Sequence, residues 1–192
     1  MRRIILAVPM MLLCLLLCAC GGGDDTMQQA LDLRGEILRA GGCSFSAEIA
    51  ANLGEDAYVF AMDCVFSPDT GAEMTITAPE EIAGLTAHSA TDGITLSFED
   101  TLLDLGDLAA GKVSALTGPA LAAGSWTQDY IRDAGRDGDL TRFTCLKGFD
   151  TDELQIDTWL DAQGVPCRCE ISSDGILILT MQITNFACPP VG

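Results

Sequence analysis

Hydrophobic and polar positions change rhythm several times along this chain. An almost unbroken apolar run fills residues 4–19, after Arg2-Arg3 and before Gly21-Gly22-Gly23-Asp24-Asp25. Met27, Ala30, Leu31, Leu33, Ile37 and Leu38 then recur at helical spacing, which predicts an amphipathic helix over 27–38. Asp25 or Thr26 is placed to cap it, and Gly41-Gly42 to stop it. From Cys43 the period becomes two. Cys43, Phe45, Ala47, Ile49 and Ala51 mark one strand, and Tyr58, Phe60, Met62, Cys64 and Phe66 the next. A loop over 52–55 would set Ala51 across from Asp56, Ile49 from Tyr58, Ala47 from Phe60, Phe45 from Met62, and Cys43 from Cys64. Met74 and Ile76 mark a third strand after the turn at 67–71, and residues 79–84 break it. Residues 85–91 and 94–98 flank Asp92-Gly93 and predict a hairpin. A looser apolar segment follows at 101–106.

Between residues 108 and 134 the alternation vanishes. Trp126, Tyr130 and Ile131 fall at helical spacing, with Ser125 as an N-cap for a helix over 126–133. Gly118-Pro119 interrupts any helix before it. Strands return at 139–147, 153–161, 166–172 and 176–186, and their short connections predict an antiparallel meander.

The N-terminal run is too short for a membrane span, which needs roughly 20 apolar residues, and has the layout of an export signal. Its end, Leu17-Cys18-Ala19-Cys20, resembles the bacterial lipobox. That resemblance implies cleavage before Cys20, with a diacylglyceryl group on its thiol and the protein held on the extracytoplasmic face of a membrane. An ordinary cleaved signal is the alternative. The implied organisation is a signal peptide over 1–19, a flexible acidic linker over 20–26 and one domain over 27–192. The residue after Cys20 is Gly21, not the aspartate of the inner-membrane retention signal.

The formal net charge is −18, and loss of Arg2 and Arg3 with the leader takes it to about −20. Such a surface repels nucleic acid and anionic lipid headgroups. Nucleic-acid binding is therefore excluded as the protein's business, and a covalent anchor becomes the means of staying on a membrane. Of 9 cysteines, those beyond the lipobox are Cys43, Cys64, Cys145, Cys167, Cys169 and Cys188. An even number in an exported chain suggests disulfides. The hairpin register favours Cys43–Cys64, and the end of the meander favours Cys167–Cys188. Cys145 and Cys169 stand two strands apart, nearly 10 Å, which is beyond bonding reach. No metal or cofactor is indicated, since Cys167-Arg168-Cys169 has no second pair at zinc spacing. Residues 133–139 fit a calcium loop poorly, with Gly135 at the third position.

This order of helix, antiparallel strands, helical insertion and terminal meander resembles the LolA/LolB-like half-barrel superfamily of bacterial envelope lipoproteins and carriers. The likeness is carried by residues 74–85, where a strand ends in a proline-led turn and restarts. It is carried also by 155–166, where a strand, an acidic turn and a proline precede the final hairpin. It looks closer to anchored sporulation- or germination-type lipoproteins than to the soluble carrier. It implies an α+β fold: a curved antiparallel sheet with the N-terminal helix and the short helical insertion packed on its concave face. The apolar lining would be Phe45, Ile49, Phe60, Met62, Met74, Ile76, Leu96 and Phe98, with Trp126 and Tyr130 on the covering helix. Either these residues line an acyl-chain groove or they pack helix against sheet. The superfamily's carrier uses an arginine inside the barrel. The first strands here have none, and Arg142 lies on a later one.

No nucleophile elbow, zinc-protease helix or phosphate loop occurs, and His88 is the only histidine, so no enzyme is expected. The expected function is a membrane-anchored binding module for an envelope protein partner. The alternative is a lipid-handling protein that holds an acyl chain or a lipoprotein in its concave face.

Overall fold

The computed structural model describes residues 22–53, 56–90, 93–97, 115–148 and 153–190. The signal peptide, Cys20, Asp92, Phe98 and the apolar segment at 101–106 lie outside the described residues.

Helix α1 (Gly22–Ala40) begins at Gly22 rather than Met27. The segment read as a flexible linker over 20–26 is thus helical from Gly22 onward. Asp25 lies near its start, where negative charge complements the helix dipole. Thr26, Ala30, Leu33 and Ile37 form its buried stripe. The helix closes where the Gly41 and Gly42 amides donate to the carbonyls of Leu38 (3.3 Å) and Ile37 (3.0 Å).

Ten strands form one sheet. They are β1 (Cys43–Leu53), β2 (Asp56–Ser67), β3 (Gly71–Ala78), β4 (Thr86–Ala90), β5 (Gly93–Ser97), β6 (Tyr130–Asp137), β7 (Leu140–Lys147), β8 (Leu154–Leu160), β9 (Pro166–Ser173) and β10 (Ile176–Ala187). Their spatial order is β5-β4-β3-β2-β1-β10-β9-β8-β7-β6. Every neighbouring pair is antiparallel. The first strand meets the last, and this seam joins two meanders into a curved, unclosed sheet. A short 3₁₀ turn (Ala115–Thr117) leads into helix α2 (Gly118–Thr127).

The β1–β2 register differs from the expected one by two residues. Ile49 faces Phe60, Ala47 faces Met62, Phe45 faces Cys64 and Cys43 faces Phe66. The strands run closer to the connection than a four-residue loop allows, with Leu53 opposite Asp56. A slip of two keeps every side chain on its face, so the hydrophobic pattern cannot distinguish the two registers. The expected Cys43–Cys64 cross-strand pair is therefore a diagonal one.

The expected helix over 126–133 is also corrected. Helix α2 begins at Gly118-Pro119, with proline at a first-turn position that needs no amide donor. It ends before β6, which takes Tyr130 and Ile131. Ser125 is not a cap. It lies inside α2, buried, with its Oγ donating to the Ala122 carbonyl at 2.7 Å. The weighed calcium loop at 133–139 is the end of β6 and the turn into β7.

Candidate functional site on the concave face

The inward positions of the first three strands are Cys43, Phe45, Ala47, Ile49 and Ala51 on β1, Phe60, Met62, Cys64 and Phe66 on β2, and Ala72, Met74 and Ile76 on β3. Ile156 and Thr158 on β8, Cys169 and Ile171 on β9, and Leu179, Met181 and Ile183 on β10 continue that surface. Helix α2 lies across it and touches β1, β2, β3, β7, β8 and β10. A helix covered on nearly every side has no polar stripe, which is why the sequence loses periodicity here. Ala122 and Ala123 are fully buried. At Gly118 a Cβ would stand 3.1 Å from Leu179 Cδ1 and 3.3 Å from Met181 Sδ, so glycine lets the helix start close to β10.

Trp126 anchors the helix. Its ring centroid lies 5.3 Å from that of Phe45 and 6.0 Å from that of Phe186, in tilted and edge-on geometry. Its indole N–H donates to Thr158 Oγ1 at 2.9 Å, so the one polar atom of the ring is satisfied inside the core. The far end of α2 is held by a residue that sequence reasoning missed. Arg34 of α1 donates from Nε to the Trp126 carbonyl (2.8 Å), and from its terminal nitrogen to the carbonyls of Ser125 (3.2 Å) and Asp129 (2.7 Å). These carbonyls lie at the negative end of α2 and have no further helical turn to accept. The signal in the sequence was a lone basic residue beside the apolar stripe of 27–38.

The predicted lining residues thus divide. Phe45, Ile49, Phe60, Met62, Met74, Ile76 and Trp126 are brought together and buried in one cluster. Tyr130 is not among them: it is 69% exposed on edge strand β6. Leu96 falls on β5 opposite Ala87, and Phe98 lies outside the described residues. The assembled residues share one buried cluster with α2. Two surface clefts lie elsewhere. One of about 170 Å³ runs between α1 and the β8–β9 turn, against Gln29, Asp32, Glu36 and Gln163. One of about 330 Å³ lies beyond the end of α2, against Gln128, Asp129, Tyr130 and Glu153. Both carry carboxylates, which do not suit an acyl chain.

Arg142 points away from the concave face. Its Nε stands 3.7 Å from Asp157 Oδ1 on the outer side of β7 and β8. Asp157 also accepts from Thr144 Oγ1 and, at 2.7 Å, from Gln155 Nε2. Beside it Trp159 is covered by the Arg168 guanidinium 4.3 Å above its ring and donates to Asp137 at 2.7 Å. This polar cover buries the outer side of β8. His88 sits exposed on β4 across from Glu73 and Thr95. No group of three or more His, Cys, Asp or Glu able to hold a metal ion occurs among the described residues. No two of the six described cysteines are joined in this structure. The register opposes neither expected pair, Cys43–Cys64 or Cys167–Cys188. Cys64 faces Phe45; Cys188 follows Ala187, which faces Ser44 at the end of β10, whereas Arg168, next to Cys167, faces Gln182 several residues earlier.

Asp129 supplies a pH test of the α2 terminus. Burial pushes its carboxyl above the ordinary range, and Lys147, at 3.7 Å, and Arg34 only partly offset this. A carboxyl raised by folding holds its proton more tightly in the folded chain. Its contribution to stability is therefore greatest in acid and falls as pH climbs through the raised value. Asp129→Asn is expected to remove this fall. In melts at fixed ionic strength, the variant gains on the wild type as pH rises through and above the usual carboxylate range. A difference independent of pH contradicts the assignment.

No family model matches the chain, and no curated protein matches it. Solved structures do. One is a LolA superfamily protein from Nitrosomonas europaea, 11% identical, with 86% of this chain and 94% of that one covered and a TM-score of 0.50. Another is a putative outer membrane lipoprotein-sorting protein domain from Vibrio parahaemolyticus, 10% identical, with 83% and 90% covered and a TM-score of 0.45. A third is the Mycobacterium tuberculosis lipoprotein LppX, 13% identical, with 88% and 96% covered and a TM-score of 0.39. With the strand order and the helix on the inner face already in hand, the chain has a LolA-like fold.

Proposed function

We propose that this protein is an extracytoplasmic lipoprotein, anchored through Cys20, whose domain binds an envelope protein partner with its outer surfaces. The observation that carries the reading is the occupied interior. Helix α2 lies across the face that an acyl chain would need, with Trp126 buried against Phe45 and Phe186, which supports the reading. What remains available to a partner is the exterior, where Val59 and Val65 are exposed on β2, and Leu31 and Leu38 on α1. No catalytic step is assigned to it. The lipobox-like Leu17-Cys18-Ala19-Cys20 supports the anchor. Two acyl chains are enough for stable membrane attachment where one is marginal. No helix among the described residues is long and apolar enough to cross a membrane.

Two experiments test this. With a fatty-acid analogue as metabolic label, the wild-type chain takes up label and Cys20→Ser takes up none; an unlabelled wild type removes the anchor from the account. Affinity capture of the full chain from cross-linked envelopes is expected to return the same protein partner in every replicate. Capture of no reproducible partner contradicts the binding reading.

A further inference from the structure

We propose that Cys43 and Cys188 form a disulfide that staples the first strand of the sheet to the last, beside the final turn of α1. The register carries it. The last pair of the β1–β10 seam is Ser44 with Ala187, and Cys43 and Cys188 are the next residues outward, where extension of the same register opposes them. Opposed residues in such a ladder have Cα atoms about 4.5–5.5 Å apart, inside the span of about 4.4–6.8 Å that a disulfide bridges. The side chains share a face. Cys43 is 2% exposed and points inward with Phe45. Phe186 points inward onto Trp126, and Cys188, two residues on, follows it by strand alternation and packs on the same core.

Cys64 is the competing partner, and the register disfavours it. Cys43 faces Phe66, while Cys64 faces Phe45. Their relation is diagonal, where separations run to about 7–8 Å. The electrostatics set both candidates beside Cys43, which also adds to the raising of the Cys64 thiol. Burial pushes the Cys43 thiol up to about 12, with Cys188 adding to the shift. Cys188 is raised by its own burial and by Glu36 of α1, which sets it against that helix.

The bond needs an oxidant that is itself a disulfide, either an oxidised dithiol protein or glutathione disulfide. The half-exposed Cys188, as thiolate, attacks one oxidant sulfur and releases the other as a thiolate. Cys43, as thiolate, then attacks Cys188 Sγ in the mixed disulfide and expels the second oxidant sulfur. Two protein thiols lose two protons and two electrons, and one oxidant disulfide becomes two thiols.

The full chain, taken from its membrane in detergent, is reduced and unfolded, then refolded in a mixture of glutathione and glutathione disulfide. Remaining thiols are alkylated, and unreduced peptides are mapped by mass spectrometry. The expected product is a cross-linked peptide pair joining Cys43 to Cys188, unchanged in Cys64→Ser and absent in Cys188→Ser. The oxidised protein is expected to melt roughly 10 °C above the reduced one, as closure of a long loop requires. Alkylation of both cysteines in the refolded wild type overturns the proposal. So does a dominant Cys43–Cys64 product, or loss of the cross-link in Cys64→Ser.

Discussion

Replacing Trp126 with alanine is expected to destabilise the domain by about 3–5 kcal/mol, the range for deleting a large buried aromatic. Three losses coincide. The ring contacts to Phe45 and Phe186 disappear. Thr158, itself fully buried, loses its indole donor and keeps only its own donation to Cys169 Sγ, a lost buried hydrogen bond of about 0.5–1.5 kcal/mol. The void lies under α2, whose other buried residues, among them Gly118, Pro119, Ala122, Ala123 and Ser125, are too small to swing in and fill it. Because a domain of this kind has only about 5–15 kcal/mol of stability, the melting temperature should fall by roughly 10 °C or more. Trp126→Phe separates the contributions, keeping most of the ring packing while losing the hydrogen bond. Urea titration of the two variants checks this. A cost below about 1 kcal/mol for the alanine variant would mean that Trp126 is not wedged in the core.

Gly42→Ala should be comparably severe for a different reason. A Cβ at Gly42 would overlap the backbone carbonyl oxygen of Phe66, and its φ of +153° is one that side-chain-bearing residues rarely adopt. The obstacle is main chain at the end pair of the β1–β2 ladder, where Phe66 faces Cys43, so no rotamer change relieves it. Relief requires moving the end of α1 off the sheet, which we expect to cost about 3 kcal/mol or more. Gly41→Ala is the matched control. Its φ is +75°, but nothing lies within 4 Å of the added atom, so only the backbone cost of about 1–2 kcal/mol applies. Thermal melts of the pair should rank Gly42→Ala well below Gly41→Ala. Equal effects would show that the close approach to Phe66 does not govern the helix–strand junction.

Much of this fold was legible in the residues. The alternation of β1 through β3 and of the terminal strands β7 through β10 reports half-buried sheet, because one face meets the core and the other meets water. The β1–β2 register was not legible, since a shift of two leaves the same residues on the same face. Helix α2 was misplaced because a helix buried all round has no stripe. Its end is decided by Arg34, a residue far away in the chain, and β6 begins just after that end. The buried outer side of β8 was likewise invisible. Trp159 and Asp157 look like solvent-facing positions until Arg168, Asp137, Gln155 and Thr144 are folded over them. Of the apolar residues expected on the concave face, Phe45, Ile49, Phe60, Met62, Met74, Ile76 and Trp126 share one buried cluster. Whether they enclose a groove or a core depends on α2, which local patterning does not place.

The account stands on α2 occupying the concave face in place of a lipid. Native mass spectrometry of the domain, freed of its anchor and mixed with excess fatty acid or phospholipid, tests this most directly. The bare polypeptide mass is expected throughout. A stoichiometric lipid adduct that survives desolvation, and that Trp126→Ala strengthens, would contradict it.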